Sequence, residues 1–351
     1  MFAYRFVPGL KVPQREMIPI PTPGPDEVLV KVLAAGVCHS DVHLLEWSDT
    51  HPFVPYTHTL GHEGAGIVVR LGDNVAADPT PSPRLVVGTY VAVLLTNACE
   101  EPGCSRCSRG LANVCFARPM IGIGADGCWA QYVVAAARTV VPVPGNDPNH
   151  PRLAPAAVAV ATDAVMTPWH GLKRVAAMQR GDNVVVLGCG GLGGNAIQIA
   201  KLLGANVVVA SDIREDARAL ARRAGADYAV SPDELKALLA EKALEVDVVV
   251  DIVGRQSTVD SAIQLVRTGG TVLLLGIGDD TVAISPLVFT KRQLAIKGSF
   301  GGDYQDLQEC LEAVAEGKIV PEVDERPMEQ CERVVHELAT GKIRARVVMI
   351  P

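Results

Sequence analysis

The 351-residue sequence has no surplus of basic charge. Its 32 Lys and Arg face 39 Asp and Glu, a formal net charge of -7. A nucleic-acid surface wants a basic stripe along the phosphates, so no nucleic-acid partner is expected. No uninterrupted apolar run reaches the ~18 residues that a membrane span needs, so no membrane partner is expected either. The opening MFAYRFVPGL lacks the charged-then-apolar layout of a secretory leader. A cytoplasmic location is therefore expected, where clustered cysteines bind metal or do chemistry more often than they form disulfides. No internal repeat and no low-complexity tract is present. What remains is a globular composition, 48% hydrophobic and 20% charged, in a chain too long for one ordinary core. Two domains are expected.

Residue usage changes along the chain. Eighteen of the 24 prolines precede residue 160, mixed with short apolar runs at 27–33 and 65–71. That mixture predicts short strands joined by tight turns. The Pro-rich pieces 78–84 and 141–152 read as surface loops. After residue 164 strands alternate with helices, the signature of a parallel α/β sheet.

The second texture contains NVVVLGCGGLGGNAIQIAKLLGANVVVASD, residues 183–212. An apolar strand at 184–187 runs into Gly188, Gly190 and Gly193, spaced G-x-G-x-x-G. A helix is expected at about 192–203 and a second strand at 206–210, ending near Asp212. Gly188 allows the tight turn, Gly190 admits a pyrophosphate to the backbone, and Gly193 lets helix pack on strand. Gly191 and Leu192 open the helix, whose free N–H groups and partial positive charge suit phosphates. Asp212, 19 residues after Gly193, can accept both ribose hydroxyls of an adenosine and would repel a 2′-phosphate. NAD is favoured over NADP. Further strands are expected at 246–252 and 271–275, and Gly276 and Gly278 after the latter fall at the nicotinamide edge of such a sheet.

Two groups of residues suggest metal. NACEEPGCSRCSRGLANVC holds four cysteines within 17 residues, Cys99, Cys104, Cys107 and Cys115. Separately, GVCHSDVH, GHEGAG and ATDAVMTPWHGL offer Cys38, His62 and Asp163, one sulfur, one nitrogen and one oxygen donor. Zinc accepts all three, and a catalytic zinc keeps a fourth position open.

These motifs, with GCGGLGG, fall in the order and approximate spacing of the zinc-dependent alcohol dehydrogenases of the medium-chain dehydrogenase/reductase superfamily, which the chain resembles over nearly its whole length. The resemblance implies a Rossmann coenzyme domain, a doubly wound parallel sheet, inserted in a β-rich GroES-like catalytic domain. The boundaries expected are 1–164 catalytic, 165–297 coenzyme-binding, and 298–351 returning to the catalytic domain.

Residue by residue, the resemblance makes Cys38, His62 and Asp163 the catalytic zinc ligands. Aspartate at 163, where many members have cysteine, resembles the branch that includes bacterial secondary-alcohol dehydrogenases. Glu63 matches a glutamate that approaches the open ligand position, and Asp41 the carboxylate that orients the zinc-bound histidine. Ser40 and His43 match a proton relay from the alcohol to solvent. His39 matches a basic residue near the pyrophosphate, and Arg346 an arginine that reaches it, with Arg344 two residues earlier as the alternative. The family's structural zinc loop usually reads C-x2-C-x2-C-x7-C. Counting back from Cys115 puts Glu101 at the first position, whereas ligand preference favours Cys99. Spacing ranks Glu101 first, and Cys99 stays open. Cys128, Cys189, Cys310 and Cys331 read as packing residues.

The expected activity is interconversion of an alcohol with its aldehyde or ketone, in a pocket near Trp47, Leu95 and Trp169. A polyol dehydrogenase is the enzyme alternative and a non-catalytic NAD-binding protein the other. Relatives are dimers or tetramers, and a homo-oligomer, tetrameric by resemblance, is expected.

Overall fold

The computed structural model describes residues 1–46, 56–77, 85–145 and 153–351. Trp47, the loop 78–84 and most of the loop 141–152 lie outside the described residues. The chain forms two compact units. The first comprises Met1–Asp163, Gly302–Gly317 and Pro321–Pro351, and the second Ala164–Gly301 with Lys318–Val320. The return was expected unbroken from 298. Instead it starts at Gly302, and Val320 belongs to the second unit because Gln198 bonds both its N–H and its carbonyl.

In the first unit the central strand is Glu27–Val37, longer than the apolar run 27–33 suggested. It pairs antiparallel with Gly64–Leu71, Tyr132–Ala136 and Arg346–Ile350. The sheet continues through Tyr90–Val93 to Val140–Pro142, and through Arg346–Ile350 to Val323–Pro327. Alternation buries Val28, Val30 and Val32 in a core with Phe6, Leu60, Val91 and Trp129. A smaller sheet joins Gln14–Met17, Phe2–Phe6 and His58–Thr59.

The second unit is a six-stranded parallel sheet. Its order is Tyr228–Val230, Val207–Ser211, Asn183–Leu187, Val246–Asp251, Val266–Leu274 and Ala295–Gly298. Numbered along the chain this is 3-2-1-4-5-6, the doubly wound dinucleotide-binding order. The helix after the first strand is Gly191–Leu202. Near-continuous valine in Asn183–Leu187 and Val246–Asp251 fits strands covered on both faces. Val266–Leu274 starts five residues before the expected 271, because Val266 already pairs with Val246. Among the described residues no helix is long and apolar enough to cross a membrane.

One turn positions the site. Gly61, at φ +93°, precedes His62, and a Cβ there would lie 2.1 Å from Trp129 Cδ1. Backbone strain and overpacking would add, so Gly61→Ala is expected to destabilise by about 2–5 kcal/mol. Thermal unfolding checks this, and an unchanged midpoint removes Trp129 as the reason for this glycine.

Candidate functional site

Three stretches far apart in sequence meet at the end of the central strand. Cys38 directly follows Glu27–Val37. His62 and Glu63 directly precede Gly64–Leu71, whose Gly64 pairs with Ala35. Asp163 sits in a π-helical turn, Ala161–Val165, a rare geometry that recurs at functional positions. One donor atom from each of Cys38, His62, Glu63 and Asp163 lies within 4.8 Å of the others, and all four residues are buried.

Asp41 holds this group from behind. Its Oδ2 accepts the backbone N–H of Cys38 at 2.9 Å, and its Oδ1 faces His62 Nδ1 at 3.2 Å. A carboxylate there fixes the ring, leaving Nε2 for the donor cluster. Burial pushes the His62 imidazole down, but Asp41 and Cys38 outweigh it and raise it well above its ordinary range. Glu63 is raised to about 8, by burial first and by Asp163 next, against the lowering influence of Arg346. Four such donors converging in a buried place fit a divalent cation. Mixed sulfur, nitrogen and carboxylate donors fit zinc.

Ser40 Oγ lies 3.5 Å from Cys38 Sγ. The His39 and His43 rings meet edge to face at 5.0 Å, one helical turn apart in His39–Glu46. His39 is exposed and His43 half-buried.

Arg346, which the resemblance aims at a pyrophosphate, is buried and bonded to both Glu63 and Asp163. Sheet register is the reason: Val347 pairs with Val37, so Arg346 arrives opposite Cys38. Arg344, the alternative, is exposed and precedes the strand.

The cysteine loop requires a correction. Spacing ranked Glu101 above Cys99, and the structure reverses the order. Cys99, Cys104, Cys107 and Cys115 bring their sulfurs within 4.8 Å of one another. The separations Cys99–Cys107 and Cys104–Cys115 are both 3.8 Å. Sulfurs about 2.3 Å from a tetrahedral zinc are about 3.8 Å apart, far beyond a disulfide's ~2.05 Å. Glu100, at φ +56°, turns the chain so that Cys99 faces inward while Glu101 stays exposed. Glu101 contributes backbone instead: its N–H bonds the Cys99 sulfur, and its carbonyl accepts from Cys104 N at 2.9 Å. Backbone N–H groups of Cys107 and Arg106 lower the Cys104 thiol to about 6, toward the ligating thiolate.

In the second unit the three glycines divide the work. Gly188 has φ +90°. A Cβ on Gly193 would stand 2.0 Å from the Gly188 carbonyl, whereas Gly190 faces open space. Gly191 and Leu192 begin the helix, with Gly190 as its N-cap. Asp212 is held by two backbone amides, Cys189 N to Oδ2 at 2.8 Å and Arg214 N to Oδ1 at 2.9 Å. Arg218 bonds the carbonyls of Asp212 and Ile213 and pairs with Glu215. Gly276 and Gly278 bond the carbonyls of Asp251 and Val253 just past the adjacent strand. Cys189 is a packing residue: burial, then Asp212, push its thiol up to about 12.

Two residues escaped the sequence reading. Gly36 leaves the space filled by the Glu63 carboxylate, and Trp129 donates its indole N–H to the Gly36 carbonyl at 3.0 Å. The only signal for Gly36 was a glycine inside an apolar strand, which marks a close approach.

Comparison with known proteins agrees with this geometry. Residues 24–145 match the family described as alcohol dehydrogenase GroES-like domain, and residues 191–316 match zinc-binding dehydrogenase. An alcohol dehydrogenase of Rhizobium meliloti (strain 1021) is 33% identical over 342 residues, covering 95% of this chain and 94% of that protein. This chain belongs to the zinc-type alcohol dehydrogenases of the medium-chain superfamily. Among solved structures, acetophenone reductase from Geotrichum candidum NBRC 4597 in complex with NAD has a TM-score of 0.86 at 33% identity, covering 100% and 97% of the two chains. A zinc-binding dehydrogenase from Sinorhizobium meliloti 1021 bound to NADP has a TM-score of 0.85 at 29% identity, covering 100% and 99%.

The loop geometry generates a test by metal analysis. Cys99→Ser is expected to lose about one zinc per chain and Glu101→Ala none, since a four-cysteine structural site is closed. Zinc loss in Glu101→Ala alone would restore the carboxylate as ligand.

Proposed function

We propose that the chain is an NAD-linked, zinc-dependent dehydrogenase that interconverts an alcohol, secondary alcohols in particular, with the corresponding carbonyl compound by hydride transfer. The buried group of Cys38, His62 and Asp163, with Asp41 behind the histidine, supports this most directly. When bound, zinc supplies the Lewis acidity that lets an alcohol lose its hydroxyl proton near neutral pH. Cys38 and Asp163 would bring the compensating negative charge, and Asp41 would keep the His62 ring aimed. Ser40, beside Cys38, would accept the hydroxyl proton as it gives up its own, and His43 would pass that proton toward solvent. The four-cysteine loop would hold a second, structural zinc. Acetophenone reductase, among the relatives, supports a carbonyl on a secondary carbon.

For the cofactor, Gly188, Gly190 and Gly193 with the N–H groups of Gly191 and Leu192 would receive the pyrophosphate, His39 would be its basic partner by the resemblance, and Gly276 would flank the nicotinamide end. Asp212 supports NAD. Both of its oxygens are held by backbone amides, so the carboxylate is fixed where a 2′-phosphate would be repelled. The polyol alternative is not better supported than the alcohol reading, which the relatives named alcohol dehydrogenase favour. The nine cysteines are thiols rather than disulfides, which suits a reducing cytoplasm. A homo-oligomer, tetrameric by resemblance, is the proposed assembly.

Two measurements test this reading. Asp163→Ala is expected to lose one zinc per chain and, without the ion's Lewis acidity, at least about 1,000-fold in kcat/KM for NAD reduction by a secondary alcohol. Full activity in that variant would remove Asp163 from the metal centre. Asp212→Gly is expected to move the ratio of NAD to NADP efficiency at least about tenfold toward NADP. A constant ratio would place cofactor choice elsewhere.

A further inference from the structure

Trp129 touches both of the segments that present Cys38 and His62. Its backbone N–H bonds the Leu60 carbonyl at 2.9 Å, and that of its neighbour Cys128 bonds the Gly61 carbonyl at 2.7 Å. Its ring covers Gly61, where a Cβ would stand 2.1 to 2.7 Å from three indole atoms. Its indole N–H then reaches across to the Gly36 carbonyl at 3.0 Å. Gly61 adjoins His62, and Gly36 precedes Cys38 by two residues. The strands concerned, Glu27–Val37 and Gly64–Leu71, pair in register as far as Ala35 and Gly64. Both donors therefore stand just past the end of that ladder, where the indole bond is made. Trp129 and Gly36 are both buried. An indole shut in a core has few torsions and a single N–H, so its place and its partner are both fixed.

We propose that Trp129 is a positioning residue of the metal centre, whose indole ties the Cys38 arm to the His62 arm and holds the two donors at ligand spacing before an ion arrives. This rests on Cys38, His62 and Asp163 being the zinc ligands. Asp41 reaches the same two residues from inside the cluster, through the Cys38 N–H and the His62 ring. Trp129 acts instead on the backbone that carries them. A phenyl ring in its place would fill much of the same space but could not bond Gly36, and the buried carbonyl would lose its indole donor. The two arms would then be free to drift apart. A site whose supporting groups are lost becomes too loose for its ion, and partners that orient ligands are worth about 10- to 100-fold in affinity.

The test reads the site itself in the full-length protein loaded with cobalt(II), whose visible bands report the distances and angles of its ligands. A Cys38→Ser chain measured in parallel gives the spectrum of the cysteine loop, and subtraction leaves that of the other site. Trp129→Phe is expected to shift those bands and to weaken that site at least about tenfold in competition with a chelator, with the cysteine loop kept within about threefold. Val28→Ala, in the same core but at the far end of the strand, is the control. It should lower the thermal midpoint and leave the bands and the affinity unchanged. Unchanged bands in Trp129→Phe, or an equal shift in Val28→Ala, overturns the proposal, because Trp129 would then only fill space. Should Trp129→Phe fail to fold, the natural chain stripped of metal decides. Its Trp129 indole proton, the resonance kept in both Trp47→Phe and Trp169→Phe chains, should exchange with deuterium at least about 100-fold more slowly than an exposed indole. Exchange at the exposed rate would show that the ion, and not the indole, holds the arms together. A Cys38→Ser chain that holds as much cobalt as the natural one sinks the ligand reading itself, a separate failure from the others.

Discussion

The register of one strand governs the buried donor cluster. Glu27–Val37 pairs with Gly64–Leu71 on one side and Arg346–Ile350 on the other, and its end presents Cys38. Because Ala35 faces Gly64 and Val37 faces Val347, the residues just before those partners, Glu63 and Arg346, arrive at the same point. The Gly36 N–H, bonded to the Glu63 carbonyl at 3.0 Å, locks this alignment. A slip of one residue would turn every side chain of a strand to the opposite face. The hydrophobic alternation that buries Val28, Val30 and Val32 therefore also fixes which polar atoms meet.

The metal centre is a problem of charge in a dry place. Asp41, Glu63 and Asp163 sit with a cysteine thiol among fully or nearly fully buried neighbours. Each carboxylate is answered by a specific partner: Asp41 by a backbone N–H and the His62 ring, Glu63 and Asp163 by Arg346. The cysteine loop solves a milder version of the same problem with main-chain N–H groups directed at its sulfurs. The dinucleotide loop uses the same device on Asp212. In all three places a backbone N–H bonds a carboxylate or a sulfur.

What was legible in the sequence was whatever depends on local spacing. The glycine turn, the helix after it and the acid at the next strand end are fixed by offsets within some thirty residues, and the structure places them within a residue or two of expectation. The grouping of Cys38, His62 and Asp163 came from resemblance, since nothing local in three distant fragments says that they meet. The misordered pair, Cys99 and Glu101, turned on a single left-handed residue, Glu100, which a count of spacings does not see. The position of Arg346 followed from sheet register, and its burial needed Gly36, which shows in sequence only as an interruption of an apolar run. Spacing reveals motifs, while register and backbone handedness decide which atoms touch.

The Arg346–Glu63 contact spans 283 residues of chain. During synthesis, Cys38, His62 and Glu63 leave the ribosome long before the arginine that covers them has been made. The centre becomes sealed only when the strand Arg346–Ile350 docks beside Glu27–Val37. The order in which the chain is made thus leaves the closing of this cluster to the last strand, whose arginine pairs with a donor made far earlier.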